Sequence, residues 1–584
     1  MSGLRMVETA DDAAEFMRWL SEKPYVALDT ETTGVDPREP GFGVRLIQFG
    51  DTNTAWVFRL DMWRGLAKQA IERFRGRIVI HNARFDIAAL AVEQVHVPWY
   101  RVDDTMIAMR LAEPTKSAVL KEAATRHIAP GAATAQANLH EAMHKNKWTW
   151  ADIPFEFFPY VMYAGMDVVL TSRLYEHEVC RRGLGSPVYD LEMDVLRVCT
   201  AMMDTGFRID RAYCEAHAKA LRDKTQSLKE MVDDRWGISI GSNDQIARAL
   251  LDGGAMLTET TASGRPSAAK SQLTKFIGHE NPDVADLAKA VLEYRKADKL
   301  AGSYLESFLY YADDDGIMHP DIETLAARTG RMSIRRPGLQ TLPKPGESED
   351  SRLVRSAVVP LREGDVLVSA DYEQIEMRLA ADFSGDDALI AAFIRADESG
   401  DDFFAEMGKI VYSDPAFTKA DPRRKIVKNT MYGMLYGAGP AKLSETAGIT
   451  LAEAQDARAA ILGAFPGLSR AMTRFEREAR ETGTITTIAG RVLEVDSDAA
   501  YKGLNAAIQG SAADLFKAAM VRLAHAGLDD YMLIPVHDEV LFSVPHDQLT
   551  EVQDVIAANM LIKELRVAVP AAPSGGLERW GDDK

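Results

Sequence analysis

The sequence predicts a mixed α/β fold, divided near residues 182–190, where RGLGSPVYD collects the glycine and proline that interrupt regular elements. Two further observations support this. Short apolar runs deliver acidic residues at three places, YVALDTE at 25–31, DVLVSAD at 365–371 and YMLIPVHDE at 531–539. Between the last two lies a helix with start and stop signals, DPRRKIVKNTMYGMLYGAGP at 421–440.

That helix organises the rest. Asp421 suits an N-cap and Pro422 a first helical position, and Gly437, Gly439 and Pro440 supply the stop. Arg424, Lys428, Tyr432 and Tyr436 recur every four residues. Each step drifts only ~40° around a helix, so the four side chains share an arc of ~120° and span ~18 Å. Cations lie near the positive end of the helix and aromatic rings further down. A nucleoside triphosphate has the same layout, with phosphates for the basic end and a flat base for the rings. For this stretch alone a solvated basic face is the alternative, and the remaining chain decides.

The length of 584 residues suggests three or four domains, and 46% hydrophobic residues allow ample core. No apolar run approaches the ~20 residues a membrane span needs, and no apolar stretch beside basic residues marks a secretory signal. Cys180, Cys199 and Cys214 are scattered, which argues against a disulfide scaffold or zinc site and suits a reducing cytoplasm. The net charge of −19 does not exclude a nucleic-acid partner, because local potential steers a ligand. Basic residues cluster at Arg328, Arg331, Arg335 and Arg336, and again at Arg423, Arg424, Lys425 and Lys428.

In the first third, residues 25–31 read as a strand ending in Asp29-Thr30-Glu31. Alternation puts both carboxylates on one face, a site for hard divalent cations. IVIHNARFD at 78–86 reads as a strand feeding a turn, with Asp86 heading a helix, where capping is its alternative role. VMYAGMDVVLTSRLY at 161–175 reads as a helix with Tyr163 and Asp167 on one face. DTETTG, HNARFD and YAGMD, in this order, resemble the three motifs of the proofreading 3′–5′ exonucleases with four acidic residues and a tyrosine. The resemblance implies a ribonuclease H-like fold, metal ligation by Asp29, Glu31, Asp86 and Asp167, and a water-orienting Tyr163. Asp104 resembles a further acidic position with a supporting role.

Beyond residue 190 the pattern becomes helical, and YRKADKLAGSY at 294–304 resembles the base of the thumb in family A DNA polymerases. RTGRMSIRRPGLQTLP at 328–343 resembles that family's TGR motif, with Arg331 at the DNA minor groove and Gly338 where Asn is usual. DVLVSADYEQIEMRLAADFSGD at 365–386 reads as a strand and a helix with Ile375, Leu379 and Phe383 on one face. It resembles motif A. Asp371 would bind both metals, the Tyr372 carbonyl one of them, and Glu376 would crowd the sugar 2′ position. Phe404 stands where relatives carry His, so a phosphate contact is expected to be missing or moved. The 421–440 helix resembles motif B, with Arg424 and Lys428 on the triphosphate, Tyr432 against sugar and base, and Tyr436 by the template base. Tyr432 implies tolerance of nucleotides lacking a 3′-hydroxyl.

YKGLNAAIQGSAADLFK at 501–517 sets Asn505 and Gln509 one turn apart and resembles a template-contacting helix, with Tyr501 where Arg is common. YMLIPVHDEVLFSV at 531–544 reads as a hairpin with an acidic tip. It resembles motif C: Asp538 as second metal carboxylate, His537 at the primer terminus, and Glu539 as a nearby catalytic acid.

The chain is therefore identified as a member of DNA polymerase family A with a proofreading exonuclease and without the 5′ nuclease domain, and phage origin is suggested. The expected fold is a ribonuclease H-like exonuclease followed by a right-hand polymerase. The expected segments are 1–185 exonuclease, 186–320 thumb and start of palm, 321–384 palm, 385–480 fingers and 481–584 palm. Two Mg²⁺ per site, replaceable by Mn²⁺, primer–template DNA and dNTPs complete the expectation, for a monomer without a membrane role in the cytoplasm of a bacterial cell or phage-infected host. Two alternatives are weaker: a DNA-binding or replication scaffold with a dead polymerase and a live exonuclease, which loss of Asp371 or Asp538 would mark although both are present, and an RNA-processing exonuclease resembling ribonuclease D, which explains only the first 180 residues.

Overall fold

A computed structural model describes residues 3–342 and 349–582. The fold is mixed α/β, as expected. The amino-terminal sheet holds β1 (Gly3–Met6), β2 (Tyr25–Thr32), β3 (Val44–Gly50), β4 (Thr54–Arg59), β5 (Arg77–Ile80) and β6 (Val102–Asp104), in the order β1-β4-β3-β2-β5-β6. β2 is central, antiparallel to β3 and parallel to β5. Val26, Ala27 and Leu28 are fully buried, as a strand covered on both faces requires. On one face Phe16, from the Ala10–Ser21 helix, meets Phe49, Trp56 and Phe58 with ring centroids 5.3, 5.7 and 5.5 Å away. On the other face the Phe158–Glu176 helix lays Val168 and Val169 against Ala27 and Ala55. Small residues permit this approach, and a Cβ at Gly50 would lie 2.6 Å from Val168 Cγ2.

Helices Arg211–Trp236, Asn243–Asp252, Lys270–Phe276 and Pro282–Asp298 enclose a separate core around Val232, Ile246, Leu273 and Val291. The last continues through Lys299–Glu306 with wider π-type turns, into Ser307–Tyr311. There Tyr304 is buried and its hydroxyl donates to the Thr341 carbonyl.

The main core of the second region surrounds an antiparallel sheet in the order Met532–Val536, Glu539–Pro545, Asp365–Tyr372, Ala571–Pro573. The expected hairpin is present, with Val536 paired to Glu539 across a two-residue turn of His537 and Asp538. The helix after Asp371 spans Ile375–Ser384, and it buries Ile375 and Leu379 and packs Phe383 against the same core.

Two helix boundaries differ from expectation. The helix expected to begin at Asp86 begins at Ala83, so Asp86 lies inside its first turn. The cap comes from Asp104, whose carboxylate accepts the Asn82 and Ala83 N–H groups at 3.2 and 2.7 Å, and those of Met106 and Ile107 at the next helix. The 421–440 helix spans Arg423–Leu435; Asp421 accepts the Arg423 N–H, and Gly437 at φ +78° turns the chain into a second helix from Pro440.

The two regions are tied together. Arg84, two residues before Asp86, donates to the Ile322 carbonyl and pairs with Asp321 at 2.8 and 2.9 Å. Arg110 and Arg335 meet on Glu323. Deeper, Glu192 takes Lys517 and Arg491, and Arg491 also reaches Asp514, all buried. This network fixes the Gly503–Leu523 helix, which carries Asn505 and Gln509, against Tyr189–Thr205.

Candidate active sites

The first site forms where β2 meets the Phe158–Glu176 helix. One carboxylate oxygen from each of Asp29, Glu31 and Asp167 lies within 4.8 Å of the other two. Asp86 lies outside this triplet but beside it, buried and accepting the Thr30 hydroxyl at 2.7 Å. Burial pushes the Asp29 carboxyl up to about 7, with Lys121 opposing the rise. Burial, reinforced by the Asp29 charge, holds Glu31 and Asp86 well above the usual carboxylate range. Carboxylates so close in a low-dielectric site cannot all ionise without cations. Their all-oxygen donor set suits Mg²⁺ or Mn²⁺. Tyr163, four residues before Asp167, sits partly buried beside them, its phenol pushed up by burial and by Glu31.

One charged residue buried in this site escaped the sequence reading. Lys121 is buried, its ammonium against the Asp167 carboxylate and 4.7 Å from the centre of the Tyr163 ring. Burial lowers it to about 8, with Asp29 and Glu31 opposing. The available signal was a lysine three residues before the buried Ala124 on the inner side of the Leu120–His127 helix. His81, of the HNARFD segment, holds this stretch. A carbonyl only accepts, so Nε2 donates to the Ala118 carbonyl at 2.9 Å, while Nδ1 faces the Thr105 hydroxyl at 2.8 Å. Burial pushes His81 down to about 4, so the ring is neutral near pH 7 and Nδ1 accepts.

The second site lies at the edge of the antiparallel sheet. Strand register sets Asp371 opposite Glu539, next to Asp538 in the turn. His537 holds φ +59°, and its N–H donates to Gln340 at 3.2 Å, which joins the 328–343 segment to the hairpin. Asp371 is exposed and Asp538 half-buried. The Tyr372 ring is buried, and its hydroxyl donates to the Met560 carbonyl at 2.6 Å, so its main-chain carbonyl is the remaining candidate ligand.

Glu539 turns inward. It was expected as a catalytic acid, but it is buried and its carboxylate accepts from Arg355 at 3.0 Å, Ser369 at 2.6 Å and the Trp580 indole at 2.6 Å. Burial of Arg355 beside it demands this counter-charge. These bonds tie the hairpin to Arg355, Ser369 and Trp580.

Two separately expected residues meet on a third, Glu376. Arg331 pairs with one of its oxygens at 2.5 Å, and the Tyr436 hydroxyl donates to the other at 2.6 Å. Tyr432 and Tyr436 stand nearly parallel, ring centroids 6.5 Å apart. Phe404 is buried against Tyr432 at 5.8 Å, an aromatic contact at the position where a phosphate contact was expected to be missing or moved. Arg424 forms a bidentate pair with Asp402 at 2.6 and 2.5 Å, and Lys428 is exposed one turn on. Asn505 and Gln509 stand half-buried one turn apart on their helix. Tyr501 packs on Gly437, whose added Cβ would lie 2.8 Å from that ring.

Comparison with known proteins follows this division. A sequence model of 3′–5′ exonucleases matches residues 4–177, and one of DNA polymerase family A matches residues 211–582. The DNA polymerase of Mycobacterium phage D29 is 28% identical over 98% of this chain and 95% of its own length. DNA polymerase I of Chloroflexus aurantiacus is 29% identical over 93% of this chain and 60% of its own length. Among solved structures, the POL domain of Pol1 from M. smegmatis, in complex with DNA primer-template and dNTP, shares the fold with a TM-score of 0.83 at 23% identity, over 99% of each chain. The chain belongs to DNA polymerase family A and carries a 3′–5′ exonuclease region ahead of the polymerase.

Proposed function

We propose that Asp371 and Asp538, with the Tyr372 carbonyl, hold two Mg²⁺ ions for primer extension, and that Asp29, Glu31, Asp86 and Asp167 hold two for primer shortening. Mn²⁺ can replace Mg²⁺ in both. When bound, such ions acidify the attacking hydroxyl or water and neutralise the leaving oxygen. The chain's own residues position the reactants. Arg424 leaves Asp402 for the triphosphate, whose charge it shares with Lys428. Tyr432 supports sugar and base, and Tyr436 stands by the template base. Glu376 blocks a 2′-hydroxyl, held in place by Arg331 and Tyr436. Arg331, Asn505, Gln509 and His537 contact primer–template, and Tyr163 orients the water of the exonuclease reaction.

The observation that carries this reading is the meeting of Arg331, Glu376 and Tyr436, from three distant segments, around one carboxylate. The segments 1–185, 186–320, 321–384, 385–480 and 481–584 serve as exonuclease, thumb with the start of the palm, palm, fingers and palm. We read the protein as a monomer acting in replication or repair in the cytoplasm of a bacterial cell or phage-infected host. Among the described residues no helix is long and apolar enough to cross a membrane. A labelled primer–template tests the reading. Lengthening with Mg²⁺ and dNTPs, shortening with Mg²⁺ alone, and neither in excess chelator are expected. Extension in chelator would refute it.

A further inference from the structure

Lys121 stands out among the charged groups that the reading above leaves without a role. A buried ammonium is costly unless paired. Here its partner is Asp167, a proposed ion ligand, and Asp29 and Glu31 are the other charges that favour it. The Tyr163 ring lies 4.7 Å below it, and His81 pins the stretch from which it projects. An oxygen engaged by an ammonium is not free for a divalent ion, and a resident positive charge repels one arriving a few ångströms away.

We propose that Lys121 is a positioning residue of the exonuclease site: a resident cation that orients Asp167 and competes with divalent ions for it, and so sets the ion concentration at which primer shortening switches on. This rests on the reading of Asp29, Glu31 and Asp167 as ion ligands. Lys121 belongs to this chain's first region, so the ion requirement of primer extension does not depend on it.

Mn²⁺ binding to the full chain, counted by electron paramagnetic resonance, tests the proposal on the parent, Lys121→Met and Asp29→Ala. Sites lost in Asp29→Ala are the exonuclease sites. Lys121→Met should fill those sites at a roughly tenfold lower Mn²⁺ concentration, the scale of one nearby unit charge removed. The midpoint for primer shortening should move the same way, while that for extension, which also reports folding, stays in place. Lys121→Gln carries the same expectation where the methionine variant does not fold. Unchanged or weaker Mn²⁺ binding in a folded Lys121 variant would overturn the resident-cation proposal alone. Undiminished Mn²⁺ binding by Asp29→Ala would overturn the ion-ligand reading, and the proposal with it.

Discussion

Glu539→Gln tests how the hairpin carrying Asp538 is held. The substitution keeps the shape of the side chain and an acceptor for the Ser369 hydroxyl and the Trp580 indole. It removes the charge facing Arg355, whose side chain is only 2% exposed, and can turn an N–H toward the guanidinium. Breaking a buried ion pair by removing one partner costs about 3–5 kcal/mol. At about 2.1 cal/mol/K per residue, a region the size of residues 211–582 unfolds with ~0.8 kcal/mol/K, so Tm should fall by about 4–6 °C. Calorimetry reads this, and primer extension well below the new Tm should survive at a reduced rate. A double-mutant cycle with Arg355→Met should recover part of the loss, because the cation is then absent. A Glu539→Gln protein that melts like its parent yet extends no primer would refute the argument, since Glu539 would then act on the reactants.

Three other outcomes follow from the geometry. In ion-free buffer the exonuclease region should lose stability as pH rises from about 4 to about 7. Its buried carboxyls keep protons that unfolded carboxyls have shed, so the folded state binds more protons in that window, and added Mg²⁺ should reverse the loss in a thermal melt. Arg424→Lys loses the planar fork that grips Asp402 and, by proposal, phosphate; KM for dNTP should rise roughly 10- to 100-fold, the scale of charged hydrogen bonds. Tyr432→Phe keeps the ring beside Tyr436 and Phe404 but removes the hydroxyl, and dideoxynucleotide incorporation relative to dNTP should fall by about tenfold in a terminator assay.

What was legible in the sequence was local. Apolar runs with acidic ends gave β2 and the 365–372 strand, because a short strand buried along most of its length leaves a continuous apolar trace. The four-residue spacing of Arg424, Lys428 and Tyr432 gave their common helix, with Tyr436 at its C-cap. What was illegible depends on partners far along the chain. Asp104 caps the helix at Ala83, so Asp86 does not head it. Arg355 lies 184 residues from Glu539, and only their packing shows why that acid is buried. Lys121 was hidden because a lysine near a helix start is ordinarily solvated, and its burial follows from the converging β2 and 158–176 helix. Phe404 showed as a departure in sequence, but its place against Tyr432 needed the packed structure.

The most direct test of two separate acidic sites on one chain is a labelled primer–template reaction with Asp538→Ala and Asp29→Ala beside the parent. Asp538→Ala should lose extension and keep shortening, and Asp29→Ala should lose shortening and keep extension. Loss of both activities in either folded variant, or full extension by Asp538→Ala, would contradict the account.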